Sequence, residues 1–227
     1  MARRIRESVL YLPMRVWDAP TRLFHWLLVL LLPASYVSAE LGWMDLHLQF
    51  GYAVLALLLF RIVWGVIGSD TARFSHFLAS PAAVWRHLAA FRRRAPDTQV
   101  GHNAAGGWMV LLLLLLIAIE LVSGLGANDG LGVVAGPLAR HLSDRASDLL
   151  TVVHGFTMNL ILAAVALHVM AVVLYAVVKR QDLVRPMITG KKRLPAATRA
   201  PRMASTLLAV AVCALAAAAA LLLATRL

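Results

Sequence analysis

The chain has 227 residues, 61% of them hydrophobic, with a mean hydropathy of +0.77 and a formal net charge of +11. Ordinary soluble domains are about 45–50% apolar, so the composition excludes that class and indicates an integral membrane protein. The only cysteine, Cys213, excludes a disulfide framework, a thiolate iron–sulfur or zinc site, and covalent haem attachment through C-x-x-C-H.

Hydropathy predicts five spans, at 23–41, 46–67, 107–126, 149–178 and 204–224. Eighteen of the 22 Lys and Arg fall in three segments: the one before the first span, the one between the second and third, and the one between the fourth and fifth. The loop after the first span has none, and the loop after the third has only Arg140 and Arg145. The positive-inside rule therefore predicts a cytoplasmic N-terminus. The basic surplus is a topology signal, and nucleic acid is not an expected partner. The N-terminus does not read as a removable signal peptide.

Residues 1–22 form a basic cytoplasmic lead, with Trp17 as an interfacial anchor and Asp18-Ala19-Pro20-Thr21 as a helix start. The first span begins at Leu23 with His25 at its cytoplasmic end, and Pro33 falls in its middle. A short loop makes the second span an antiparallel neighbour. His47 opens that span on the periplasmic side, and Gly51, four residues later, leaves the same face without a side chain. Such a gap suits a flat macrocycle and equally suits helix–helix packing. Arg61, near the cytoplasmic end, could pair with a haem propionate or snorkel to the headgroups.

The loop 68–105 is too long for a plain connection. Ser80-Pro81 starts a short helix whose stripe of Val84, Trp85, Leu88 and Phe91, followed by Arg86 and Arg92 to Arg94, suits the anionic inner leaflet. His76, His87 and His102 belong to this aqueous segment and are not assigned as ligands. The third span has one ionisable group, Glu120, which could take a quinone proton or pair with Arg140 or Arg145. The periplasmic loop 127–148 is the expected docking surface for a soluble partner. Its glycines do not make a phosphate loop.

The fourth span carries two histidines, His154 and His168, 14 residues apart. At ~100° and ~1.5 Å per residue they share nearly one helix face and lie about 21 Å apart along it. Imidazole in lipid is costly and needs a named partner. The alternating directions of the spans put His47 and His154 at the periplasmic depth, and His25 and His168 at the cytoplasmic depth. Two non-covalent bis-histidine haems satisfy all four. The competing readings are core histidines bonded to neighbouring helices, and a metal-ion carrier. A basic, Pro-containing linker, 179–203, leads to a fifth span in 204–227 with no ligand candidate.

With Arg22-x-x-His25-Trp26, His47-x-x-x-Gly51, Phe60-Arg61-Ile62-Val63-Trp64-Gly65, Gly101-His102-Asn103 and the His154/His168 pair in place, the chain resembles the prokaryotic cytochrome b561 family. Within that family it is most similar to the b-type cytochrome subunits of nickel–iron hydrogenases. The resemblance spans roughly residues 15–185. It implies an all-α membrane protein with a four-helix di-haem core, here 23–178, plus a fifth C-terminal transmembrane helix. It also implies two b haems in a bacterial inner membrane, whose axial ligands are His25, His47, His154 and His168; Arg22, Arg61 and Gly51 are the further candidate cofactor-binding residues. Family members pass electrons between a periplasmic redox protein (a hydrogenase-like subunit or a cytochrome c) and membrane quinone. The expectation is an electron-transfer subunit without catalytic side chains of its own. The alternative is a stand-alone quinone-linked oxidoreductase similar to superoxide oxidases.

Overall fold

Asp18 starts the first long helix: its Oδ1 accepts a hydrogen bond from the Thr21 amide at 2.7 Å, and Pro20 lies in the first turn. The computed structural model describes residues 10–93, 98–128 and 134–226. The sequence expectations for Arg3, Arg4, Arg6, Arg94 and the Asp129 to Gly132 stretch lie outside these residues. Among the described residues five helices are long and apolar enough to cross a membrane: α1 (Ala19–Glu40), α2 (Met44–Ile67), α5 (Ala104–Gly126), α6 (Asp144–Leu174) and α8 (Thr206–Arg226). Shorter elements lie between them: β1 (Tyr11–Arg15), α3 (Phe74–Phe77), α4 (Pro81–Ala89), α7 (Val184–Thr189) and β2 (Lys191–Pro195).

The helix ends have chemical causes. Ser80 accepts from Ala83, Asn103 from Gly106 and Ser143 from Ala146, each a side-chain N-cap. Gly42 closes the tight α1–α2 turn at φ +73°, where a side chain would be strained. Pro33 sits inside α1 without ending it. α6 runs on as a π-helical turn, Tyr175–Lys179, for 36 helical residues. At ~1.5 Å per residue that is about 54 Å, so α6 projects beyond a ~30 Å hydrocarbon core.

Packing makes two antiparallel hairpins, α1 with α2 and α5 with α6, which meet along α2 and α5. Their shared core includes Val54, Leu58 and Trp64 of α2, Leu114 and Ile117 of α5, and Ile161 of α6. Helix α6 makes no extended contact with α1 or α2. The space between them is where the histidines meet. The fifth long helix, α8, lies along α2 and buries Ala209, Val212 and Ala216 in that core. It is tethered by Ser69 and Asp70: Arg202 N donates to Asp70 Oδ2 at 2.9 Å and Ala204 N to Ser69 Oγ at 2.9 Å.

Two regions differ from the sequence expectation. The basic lead and the basic linker are paired, β1 antiparallel to β2 with Tyr11 opposite Pro195 and Arg15 opposite Lys191. Val16, Trp17 and Leu194 are buried beneath this ribbon, so Trp17 is a core residue of a small cap rather than an interfacial anchor. The pairing joins segments about 180 residues apart in sequence, and each strand alone is too short to announce a partner. The cap closes on α1. Gly190 O accepts from Val16 N and Trp17 N, Trp26 Nε1 donates to Met187 O, and Arg22 Nη1 donates to Ile188 O.

Candidate functional site

The two ends of the α1–α2–α5–α6 arrangement each hold a pair of facing imidazoles. At the end bearing the α1–α2 and α5–α6 turns, His47 and His154 have ring centroids 6.1 Å apart, with planes at 82°. The tautomers follow from their partners. His47 Nδ1 lies 2.9 Å from the Ser35 carbonyl oxygen, and His154 Nδ1 lies 2.9 Å from the Glu120 carbonyl oxygen. A carbonyl can only accept, so each Nδ1 carries the proton and donates it. Each Nε2 keeps its lone pair, the form in which imidazole binds a metal. Ser35 Oγ at 3.2 Å from His47 Nδ1, and Ser123 Oγ at 3.4 Å and Glu120 Oε1 at 3.3 Å from His154 Nδ1, complete the shell. Glu120 thus faces His154, and no ion pair to Arg140 or Arg145 occurs among the described residues.

At the end bearing the cap, His25 and His168 have ring centroids 6.5 Å apart, with planes at 59°. His25 Nδ1 is buried with no hydrogen-bond partner, and Trp26 meets its ring edge-on at 5.1 Å. Two arginines stand near. Arg22 Nε is buried and unpartnered. Arg61 is only 2% exposed, with its guanidinium over the Phe74 ring at 4.8 Å and the Phe77 ring at 5.9 Å. Its Nη1 is buried without a partner. The snorkelling alternative is therefore wrong for Arg61, because α3 folds back over the end of α2 and shuts the side chain in.

An iron bonded to two imidazole nitrogens at ~2.0 Å each, with about 1.1 Å more from nitrogen to ring centre, needs centroids roughly 6.2 Å apart. Both pairs meet that spacing. A Cβ added at Gly51 would meet nothing within 4 Å, so there is open space on the His47 face of α2. A Cβ at Gly124, by contrast, would come within 2.8 Å of the His154 ring. Unpartnered guanidinium nitrogens beside the His25–His168 pair are the chemistry that carboxylate groups of a cofactor require. The residues fit a non-covalent haem at each end.

Sequence reasoning missed one residue here. His102, assigned to an aqueous loop, packs against Trp17 at 4.6 Å and Phe77 at 4.7 Å with its Nδ1 buried. Burial first, then the Arg61 charge and the two neighbouring histidines, push its imidazole down to about 3, so it is neutral at pH 7. The usable signal was the Gly101-His102-Asn103 run. Gly101 takes φ +78° and Asn103 caps α5, which fixes the residue between them against the cap.

A search of curated proteins and one of solved structures return no match to this chain. The family model of prokaryotic cytochrome b561 matches residues 16–190, from the end of β1 through α7, taking in all four facing histidines and leaving out α8. That match covers well over half of a chain whose five long apolar helices suit a multi-pass membrane protein. The chain belongs to the prokaryotic cytochrome b561 family, membrane proteins that bind haem b and transfer electrons across the bilayer.

Proposed function

We propose that this chain is a di-haem b-type cytochrome passing electrons from a periplasmic redox protein to membrane quinone. The observation that carries the reading is the presence of two imidazole pairs, 6.1 and 6.5 Å between centroids, at opposite ends of α6. A bare-ion carrier is less well supported, because no group of three or more His, Cys, Asp or Glu converges among the described residues. His47 and His154 would hold one haem, and His25 and His168 the other. Arg22 and Arg61 would pair with its carboxylate groups at the capped end, and the Gly51 face would give the cofactor room at the other. Bound there, haem b supplies reversible one-electron chemistry at iron.

The protein's own contribution is orientation and shielding. The Ser35 and Glu120 carbonyls hold His47 and His154 in the tautomer that exposes Nε2. The capped end is cytoplasmic by its excess of Lys and Arg, in a bacterial inner membrane. Residues 23–178 form the four-helix core, and α8 braces α2 from outside it. The partner is a hydrogenase-like subunit or a cytochrome c docking on the loop 127–148. Quinone is reduced at the capped end, where a cavity of about 330 Å³ lined by His76, Phe77, His87, Gln99 and His102 lies against α3, α4 and the start of α5.

The test is quinone reduction driven by a periplasmic donor, in membranes or proteoliposomes. His25→Ala should abolish it, while Glu120→Gln should leave most of it. Full quinone reduction in His25→Ala, together with loss in Glu120→Gln, would move the quinone site to the uncapped end and overturn this path.

A further inference from the structure

His87 lies on α4, outside both histidine pairs, at the place where two cavities share a wall. It lines the 330 Å³ cavity together with His102, and a second one of about 140 Å³ together with Gln99, Asn103, Tyr175, Lys179 and Gln181. The larger cavity has Phe77, Leu78 and Ala79 in its lining, and the smaller has Thr98, Asn103 and Lys179 in its own. Between them His87 Nε2 and the Tyr175 hydroxyl share a short hydrogen bond, with the two rings nearly parallel at 13°.

The chain has a specific way of presenting Tyr175. It is the first residue of the π-helical turn, and such turns are frequent at functional sites. Tyr175 is buried against α4 and packs edge-on to Phe91 at 5.3 Å, although it follows a stretch of lipid-facing residues. Lys179, at the end of the turn, stands over the Tyr175 and Phe91 rings. The other charged or titratable groups facing His87 are Lys192 of β2, whose Nζ donates to Gln99 O, and His76 and His102 around the larger cavity. Burial, and then the Lys179 charge, hold the His87 imidazole below its ordinary range, so it carries a free lone pair at pH 7.

We infer that His87, hydrogen-bonded to Tyr175, takes up protons for quinone reduction, receiving them from water in the smaller cavity and releasing them into the larger one. The inference rests on the proposed reduction of quinone at the capped end. There each quinone gains two electrons from the periplasmic donor through the cytochrome, and two protons from water on the capped side, to give quinol. His87 binds a proton at Nδ1 and releases it from the same atom, returning to its starting neutral form after each transfer. The Tyr175 hydroxyl oxygen accepts from the Nε2 proton throughout, so it holds the ring in both the neutral and the charged form without a net change of its own. His87 is the proton carrier, and Tyr175 positions it.

The experiment follows reoxidation of the reduced, haem-loaded full-length protein by a short-chain quinone analogue, from pH 6 to pH 8, with and without added imidazole. His87→Ala should slow reoxidation about a hundred-fold or more at pH 8, the usual scale of a lost acid–base group. It should approach the unmodified rate at pH 6, where protons are abundant, and imidazole should restore it. Tyr175→Phe should move the pH profile with a smaller loss, and serves alone if His87→Ala does not bind haem. A His87→Ala profile parallel to the unmodified one, without imidazole rescue, overturns the relay while leaving the quinone site intact. Failure of the unmodified protein to be reoxidised by quinone would instead remove the underlying reading, and the relay with it.

Discussion

The two imidazole pairs share one helix, α6, yet they are held by opposite kinds of surroundings. His47 and His154 are oriented by backbone carbonyls from within their own hairpins: Ser35 lies across the short α1–α2 turn and Glu120 across the α5–α6 connection. The Glu120 carboxyl group and the Ser35 and Ser123 hydroxyls stand beside them. His25 and His168 lie under a cap assembled from segments far apart in the chain, including the Arg22 to Ile188 hydrogen bond and the β1–β2 ribbon. Arg22 lies one helical turn before His25, and the almost fully enclosed Arg61 shares His102 as a neighbour with both imidazoles. A nearby cation favours the reduced, less positive iron. The difference implies a higher midpoint potential at the capped end. Electrons would then run downhill from the uncapped end towards it, the direction proposed above.

The largest expected effect breaks one end and spares the other. Gly124→Val puts a side chain against the His154 ring, and should remove the haem at the uncapped end while the capped-end haem stays, read as a halved haem-to-protein ratio. Gly51→Leu sharpens the same contrast, because the polypeptide alone has open space there. It should leave the helices intact by circular dichroism and still lower haem occupancy at that end. Unchanged occupancy would mean that the Gly51 face packs lipid or protein.

A smaller effect is electrostatic. Arg61→Leu should lower the midpoint of the capped-end haem by about 60 mV, a tenfold change in a one-electron equilibrium, and leave the other within error in a potentiometric titration. Equal shifts at both haems would deny Arg61 its place at one end.

The smallest effect concerns acid. With His102 held to about 3 in the folded chain, only the unfolded chain takes up that proton once the pH falls below ~6.5. Stability is therefore complete above that pH and declines below it, at up to about 1.4 kcal/mol per pH unit. Thermal unfolding at pH 5 should occur below that at pH 7, and His102→Leu should narrow the gap. The uncapped end has no equivalent among the described residues outside the spans.

The same contrast governs what could be read from sequence. The spans, their alternation and the depths of His25, His47, His154 and His168 rest on hydropathy and on ~1.5 Å per residue, which are local properties. The α1–α2 turn and the caps at Asp18, Ser80 and Asn103 are local too. The cap is not. The strands Tyr11–Arg15 and Lys191–Pro195 are each five residues with two or more basic side chains or a proline, and they read as lead and linker until they pair. Trp17 and His102 were misjudged for this one reason, and Arg61 was left between two alternatives by it, since each is buried by a segment that only tertiary structure brings to it. The lie of α8 along α2 was equally invisible, because an Ala-rich apolar helix gives no sign of which neighbour it will choose.

The central claim is that the four histidines bind two haems as His25 with His168 and His47 with His154. The most direct test is a set of four single His→Ala variants, each measured for haem per chain and for the surviving haem's spectrum and midpoint. His25→Ala and His168→Ala should leave one and the same haem, at the lower midpoint, and His47→Ala and His154→Ala should leave the other. One haem per chain in the unmodified protein, or loss of the same haem in His47→Ala and His168→Ala, would contradict it.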